Sequence, residues 1–387
     1  MNEFKKEKKK MAIVSYGTRI AIKSKNVRAV DLTYLRNIMQ NVYGREVDYV
    51  TFKTDKDPDS FKNVADVNIN DYDEVMIYNC SLNPFGGVFK HESIITIKKL
   101  MEFNGDIWYF LVDPKMPCLD FAAYLKTRLN KYGAIKIDRD PFEVTFTDEW
   151  LDEWTNKVWS RMKIAYGGVD YDKYYKMYTD KVTHNGKKEA KQTRLLNPNY
   201  EWAFVPLFEY YAVNEDLEDK LKDWTTENKK WDLIYFGNNR MTNRSKIIAN
   251  FYDQENYHNY VLGYDPEFKK CDYDTSGYVA HDEMFKIIPM AWATLILGDE
   301  LHNSNIRTPR FFEGMLLDTV GFIYIGYDEK KQFVKNKELQ DFIYVSTPEE
   351  LQEKVAKIKS DTEFYRHIVE LERQEILGQF GNMKEND

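Results

Sequence analysis

Residues 294–315, TLILGDELHNSNIRTPRFFEGM, constrain the fold more than any other stretch, because they read as a buried strand feeding a helix. Leu295, Ile296 and Leu297 form an apolar run that stops at Gly298-Asp299, and after a polar loop Thr308 and Pro309 take N-cap and first helical positions. Arg310 and Glu313 then lie three apart on one helical face. A helix N-terminus carrying an arginine suits a diphosphate, and a carboxylate one turn later can accept both hydroxyls of a ribose. Taken alone, the same two residues read equally well as a surface ion pair.

A second constellation favours the nucleotide. Residues 232–240, DLIYFGNNR, form a β-rich run ending at Gly237, and Arg240 is followed four residues later by Arg244 at the opening of a helical segment, RSKIIANFYD. The glycine lets a phosphate approach the backbone while the arginines neutralise it. Two such strand-to-helix turns predict a nucleotide site at the carboxyl edge of an open parallel sheet.

On these residues the chain resembles the bacteriophage DNA β-glucosyltransferases of the T-even type. The resemblance runs through IVSYGTR near the start, NDYDEVMIYNCSLNPFGG, DIWYFLVDPKMP, DLIYFGNNRMTNRSK and LILGDELHNSNIRTPRFFEGM. It implies an α/β chain of the GT-B fold, two Rossmann-like domains facing across a cleft. The implied activity is inverting transfer of a sugar from a UDP-sugar to 5-hydroxymethylcytosine in duplex DNA, with base flipping, a DNA modification tied to restriction evasion.

Matched position by position, the resemblance makes Asp113, after the DIWYFLV strand, the general base, and Arg240, Arg244 and Arg310 the binders of the UDP pyrophosphate. Glu313 holds the ribose, the backbone at Val279 reads the uracil edge, and Gly237 lets the phosphates approach. Asp299 matches an acidic sugar-site residue. Asp31 stands where the family has a glutamate, and its shorter side chain leaves room for a different sugar, such as a pentose like arabinose, or for a bridging water. Glu209, in VPLFEYY, matches a donor-site glutamate only with a one-residue shift. Gly17 matches a loop facing the donor, and Asn83, Gly86 and Gly87, with Lys115 beside Asp113, match loops facing the DNA. The implied ligands are a UDP-sugar and hydroxymethylated duplex DNA. A divalent cation, Mg or Mn, is expected as a stimulant with no dedicated protein metal site.

Composition agrees with a large enzyme. A chain of 387 residues with 43% hydrophobic and 15% aromatic content can bury two cores. Cys80, Cys118 and Cys271 are too few for a disulfide framework, and MNEFKKEKKK lacks the apolar core of a signal peptide. The longest apolar stretch, 287–297, contains Pro289 and is too short to span a bilayer. A monomer in the cytoplasm of an infected host, away from membranes, is expected.

The net charge of −8 is unusual for a DNA-binding protein, but it is unevenly spread. Residues 1–210 hold 33 Lys and Arg against 30 Asp and Glu, a net +3, whereas 211–387 hold 22 against 33, a net −11. The first half is therefore the expected DNA face. Residues 181–194, KVTHNGKKEAKQTR, read as a mobile basic loop, in which Lys187, Lys188, Lys191 and Arg194 are candidate phosphate contacts.

Apolar runs at 12–16, 75–79 and 107–112 predict parallel strands in the first half, with helices at 32–42 and 93–103. Runs at 233–236, 260–263, 294–297 and 320–325 predict those of the second. The expected domains are 1–212, completed by a C-terminal helix at 366–387, and 231–365, joined by a linker at 213–230. The Trp- and Tyr-rich stretch 149–177 is expected to elaborate the first domain, and Thr347-Pro348-Glu349-Glu350 to cap a helix. One motif competes: residues 272–283, DYDTSGYVAHDE, satisfy the EF-hand loop pattern, with Gly277 at the sixth place and Glu283 at the twelfth. They lack the flanking amphipathic helices and a second loop, and read instead as the nucleobase loop. A GT-B transferase acting on a small molecule or glycan, and a non-catalytic DNA- or calcium-binding relative, remain the alternatives.

Overall fold

Strand β1 (Lys10–Ser15) alternates its side chains between two apolar cores, Met11 and Ile13 entering one and Ala12 and Val14 the other. A strand buried on both faces belongs at the centre of a covered parallel sheet. In the computed structural model it does so, flanked by β2 (Glu46–Thr51) and β4 (Glu74–Tyr78). Residues 4–15, 32–51, 61–78, 90–111, 121–139, 142–167, 183–184, 187–188, 201–215, 226–237, 243–263, 267–298 and 306–384 are described. The first sheet is completed by β3 (Lys62–Asn63), β5 (Asp106–Leu111), β8 (Met162–Tyr166) and β11 (Trp202–Phe204), in the order β11-β8-β5-β4-β1-β2-β3. Two antiparallel hairpins stand outside it, β6 (Ile135–Arg139) with β7 (Phe142–Phe146), and β9 (Thr183–His184) with β10 (Lys187–Lys188).

The second sheet has six strands: β12 (Trp231–Phe236), β13 (His258–Leu262), β14 (Asp272–Gly277), β15 (Ala291–Ile296), β16 (Val320–Tyr324) and β17 (Tyr344–Val345). Their order is β14-β13-β12-β15-β16-β17, and every pairing within both sheets is parallel. Each half thus reverses its winding beside its first strand, between β1 and β4 and between β12 and β15, where open α/β sheets bind ligands at their carboxyl edge. The two Rossmann-like halves face each other across a cleft, the GT-B arrangement.

The helices are placed by local signals. The 32–42 segment is an α-helix over Leu32–Asn37 that continues as a π-helical turn, Ile38–Val42. Thr347 caps the Pro348–Ser360 helix by accepting from Glu350 N at 3.2 Å, while the Glu350 carboxylate accepts from Ser346 N at 2.8 Å. The Thr362–Phe380 helix docks through buried Glu372, whose Oε1 accepts from Gly321 N of β16 at 2.9 Å. Just beyond that helix, Met383 O accepts from Asn214 Nδ2 at 3.0 Å. Among the described residues no helix is long and apolar enough to cross a membrane.

Three expectations are corrected. Residues 162–166, inside the Trp- and Tyr-rich stretch, form β8, an inner strand rather than an elaboration. The 181–194 segment contains the β9–β10 hairpin rather than only a loop, and Asn185-Gly186 between its strands is the hairpin signal that the loop reading passed over. Residues 272–277 are an exposed edge strand, not a loop. Extended backbone cannot wrap its carboxylates around calcium, and Asp274 is already engaged, accepting from Trp231 Nε1 at 2.7 Å and facing His258 Nε2 at 3.2 Å.

Candidate functional site

The carboxyl end of β12 is where the second half brings its functional candidates together. Gly237 follows Phe236 with φ +151°, and a Cβ placed on it would stand 2.9 Å from the guanidinium carbon of Arg310. The missing side chain is what lets that guanidinium lie against the strand end. Arg310 opens the Pro309–Leu316 helix, preceded by Thr308 at the N-cap and Pro309 in the first turn. Its guanidinium carbon sits 5.9 Å from the centroid of the Tyr235 ring, and Nη1 is buried with no hydrogen-bond partner among the described residues. A buried cationic donor of this kind is costly until an acceptor arrives.

Arg244 reaches the same place from the Asn243–Tyr252 helix and is 2% exposed. Both arginines act on Tyr327: burial pushes its phenol up to about 12, and Thr308, Arg310 and Arg244 work against the rise. A guanidinium against a glycine at a strand end, with a second arginine acting on the same phenol, is an arrangement suited to an anion.

Glu313 lies one turn beyond Arg310 and is fully buried. Its Oε1 accepts from the hydroxyl of Tyr211, in the Leu207–Asn214 helix at the end of the first half, at 3.2 Å. A second contact from that helix is the ion pair of Glu209 Oε1 with Arg307 Nη1, also 3.2 Å. Burial raises the pKa of Glu209, and the Arg307 charge opposes the shift. Sequence reasoning missed Tyr211 and Arg307. Tyr211 is hidden in an apolar run, and Arg307 belongs to a polar loop with no periodicity to mark it.

Val279 stands between β14 and the His281–Ile287 helix, with Tyr278 beside it 64% exposed. A Cβ on Gly263, at the end of β13, would meet Gly237 O at 3.2 Å and the Tyr278 ring at 3.4 Å, so this turn borders the same strand ends. Lys187 and Lys188 form β10. Asp113, Arg240, Asp299, Gly17, Asp31, Asn83, Gly86, Gly87, Lys115, Lys191 and Arg194 lie outside the described residues. In sequence, Gly17 follows β1 by two positions, Asp113 follows β5 by two, and Asp299 follows β15 by three.

A polar cavity of about 230 Å³ opens at the other edge of the first sheet, among Lys9, Arg45, Glu74, Asp106 and Lys163. Its charges match one another, Arg45 Nε with Glu74 at 2.9 Å and Lys163 with Asp106 at 3.1 Å, so it closes the amino edge and carries none of the candidates. Among the described residues no three His, Cys, Asp or Glu side chains converge to hold a metal.

One prediction follows from Gly237. Gly237→Ala should push Arg310 off the strand end, lowering UDP affinity roughly 10-fold by loss of a charge-assisted contact and costing about 1 kcal/mol of stability through the backbone. Calorimetry and thermal unfolding read the two effects, and unchanged UDP affinity would separate Gly237 from the site.

Known proteins resemble the chain in sequence and in fold. The family described as bacteriophage T4 beta-glucosyltransferase matches residues 9–137. The DNA beta-glucosyltransferase of Enterobacteria phage T4 is 25% identical over 359 residues, covering 90% of this chain and 89% of its own. The structure of T4 phage BGT in complex with UDP and Mn²⁺ superposes with a TM-score of 0.66 at 21% identity, over 97% of this chain and 96% of its own. T4 phage BGT in complex with its UDP-glucose substrate gives a TM-score of 0.67 at 20% identity with the same coverage. By sequence over most of its length the chain is similar to the bacteriophage T4 beta-glucosyltransferase, and over nearly all of it the chain shares the GT-B fold.

Proposed function

We propose that the chain is an inverting glycosyltransferase that moves a sugar from a UDP-sugar to the hydroxyl of 5-hydroxymethylcytosine in duplex DNA. The observation that carries this reading is Arg310 lying against Gly237 at the end of β12, with Arg244 acting on the same Tyr327 phenol and Glu313 buried one turn along the helix from Arg310. Guanidinium groups meet the diphosphate, the carboxylate one turn away meets the ribose, and the turn at Val279 meets the uracil. Arg240 joins the arginines from the β12 turn. In this reading residues 1–212 with the C-terminal helix 366–387 hold the acceptor, residues 231–365 hold the donor, and 213–230 link them.

The reaction joins the two sheet edges. The target base leaves the duplex so that its hydroxymethyl group can enter the cleft. Asp113 takes the hydroxyl proton, the oxygen attacks the anomeric carbon on the face opposite UDP, and the bond to UDP breaks with inversion. Arg240, Arg244 and Arg310 neutralise the departing diphosphate. Asp31, Asp299 and Glu209 surround the sugar, and Gly17 keeps the backbone close to it. A divalent cation would supply further positive charge on the diphosphate. Asn83, Gly86, Gly87 and Lys115 face the DNA.

Labelled UDP-glucose tests this directly. Label retained on hydroxymethylated duplex DNA, and absent from unmodified DNA, is the expected result, while transfer only to small acceptors would replace the DNA reading. A panel of UDP-sugars, followed by mass spectrometry of the nucleosides, decides between glucose and a pentose.

DNA affinity is expected to depend on the basic positions of the first half despite the acidic total, since phosphate contacts are local and distant charges are screened beyond about 10 Å. Neutralising Lys187, Lys188, Lys191 and Arg194 together should flatten the slope of log affinity against log salt and leave UDP binding unchanged. An unaltered slope would move the DNA to the Lys115 side of the cleft.

A further inference from the structure

The Glu209–Arg307 pair is buried, joins the two halves, and is incomplete. An arginine and a carboxylate free to adjust close a two-bond fork. Here Arg307 Nη1 alone reaches Glu209 Oε1, at 3.2 Å, because the guanidinium is held from its other sides. Its Nη2 donates to Gln332 O at 3.3 Å and to Gln379 Oε1 at 3.5 Å, and the rings of Phe333 and Phe380 lie 5.6 and 5.0 Å from it. Glu209 Oε2 and Arg307 Nε are left buried with no hydrogen-bond partner among the described residues.

Such an oxygen is unfavourable until a hydrogen-bond donor reaches it, and a ligand hydroxyl is one such donor. Its surroundings point to the donor. Glu209 is two residues from Tyr211, which touches the ribose candidate Glu313, and Arg307 is three residues before Arg310. The Leu207–Asn214 helix thus meets the 307–313 segment twice, through Glu209 on Arg307 and through Tyr211 on the ribose candidate Glu313.

We propose that Arg307 is a positioning residue for the donor sugar: by anchoring Oε1 it presents Oε2 of Glu209 to a sugar hydroxyl. Burial raises the pKa of Glu209, and the Arg307 charge beside it opposes that rise. This rests on the UDP-sugar reading and on Glu209 as a sugar contact.

Calorimetric affinities for UDP and for UDP-glucose, without acceptor DNA, test it in the full chain. Arg307→Ala and Arg307→Lys should each lower the ratio of UDP-glucose to UDP affinity by roughly 10-fold or more, the size of a lost hydrogen bond to a charged group, with UDP affinity itself unchanged. Arg307→Lys keeps a cation in place should the alanine variant fail to fold. If both ligands weaken in the same proportion, or neither weakens, Arg307 only supports the Pro309–Leu316 helix and the proposal is overturned. Glu209→Gln separates the layers: a lost ratio there with a normal ratio in the Arg307 variants sinks the positioning role alone. A normal ratio in Glu209→Gln removes the sugar contact on which it rests, and a parent chain that binds neither ligand removes the donor reading.

Discussion

Asp113→Asn is expected to bind UDP-sugar like the parent and to lose turnover by about 10²-fold or more, since a positioned general base typically supplies about 10²–10⁴. The expectation rests on place and chemistry. Asp113 follows β5 by two residues, β5 pairs β4, and β4 pairs β1 at the switch point of the first sheet, so the strand ends toward the cleft. A carboxylate there can take a proton from an acceptor hydroxyl, and the amide that replaces it cannot. Because the proposed diphosphate and ribose contacts belong to the other half, the substitution should separate turnover from UDP binding. Single-turnover transfer to hydroxymethylated DNA, beside calorimetry with UDP, measures both, and parental turnover would remove Asp113 as the base.

Arg310→Ala and Arg244→Ala are each expected to weaken UDP by about 1.5–3 kcal/mol, roughly 10- to 150-fold. Arg310 already holds a buried donor with no acceptor among the described residues, as a site organised for an anion before binding would. Arg244 is almost wholly buried, so its loss also leaves a space in the packing. Arg310→Lys should recover part of the affinity as a point charge and lose the planar fork. The two positions face a common phenol, Tyr327, so their double variant should lose less than the sum of the single losses. Arg240→Ala is expected to behave like its neighbours. Parental affinity in all three variants would end the diphosphate assignment.

How much of this was legible in the chain can be followed residue by residue. The strands that end at the proposed site, β1, β4, β5, β12 and β15, all read as apolar runs because both of their faces are buried. The polar strand β14 did not. Its place comes from backbone pairing with β13 from His258 to Leu262, and a backbone hydrogen bond has no side-chain signature. The metal-loop pattern in the same residues was a match of spacing without the backbone to use it.

The sequence by itself determined what lies within one turn of helix or one end of a strand: the Thr347 cap, the Thr308-Pro309 helix start, and Arg310 and Glu313 on a common face. Those relations depend on spacing along the chain, which composition and periodicity report directly. Only the tertiary structure decided which turns meet. Parallel order sets β12 beside β15, which brings Gly237 against Arg310, and packing of the Leu207–Asn214 helix against the second half puts Tyr211 on Glu313 and Glu209 on Arg307. Contacts between residues remote in sequence arise from strand order and helix packing. Neither leaves a local pattern, so these contacts of the Leu207–Asn214 helix, one of them the proposed sugar-positioning pair, could be seen only in the folded chain.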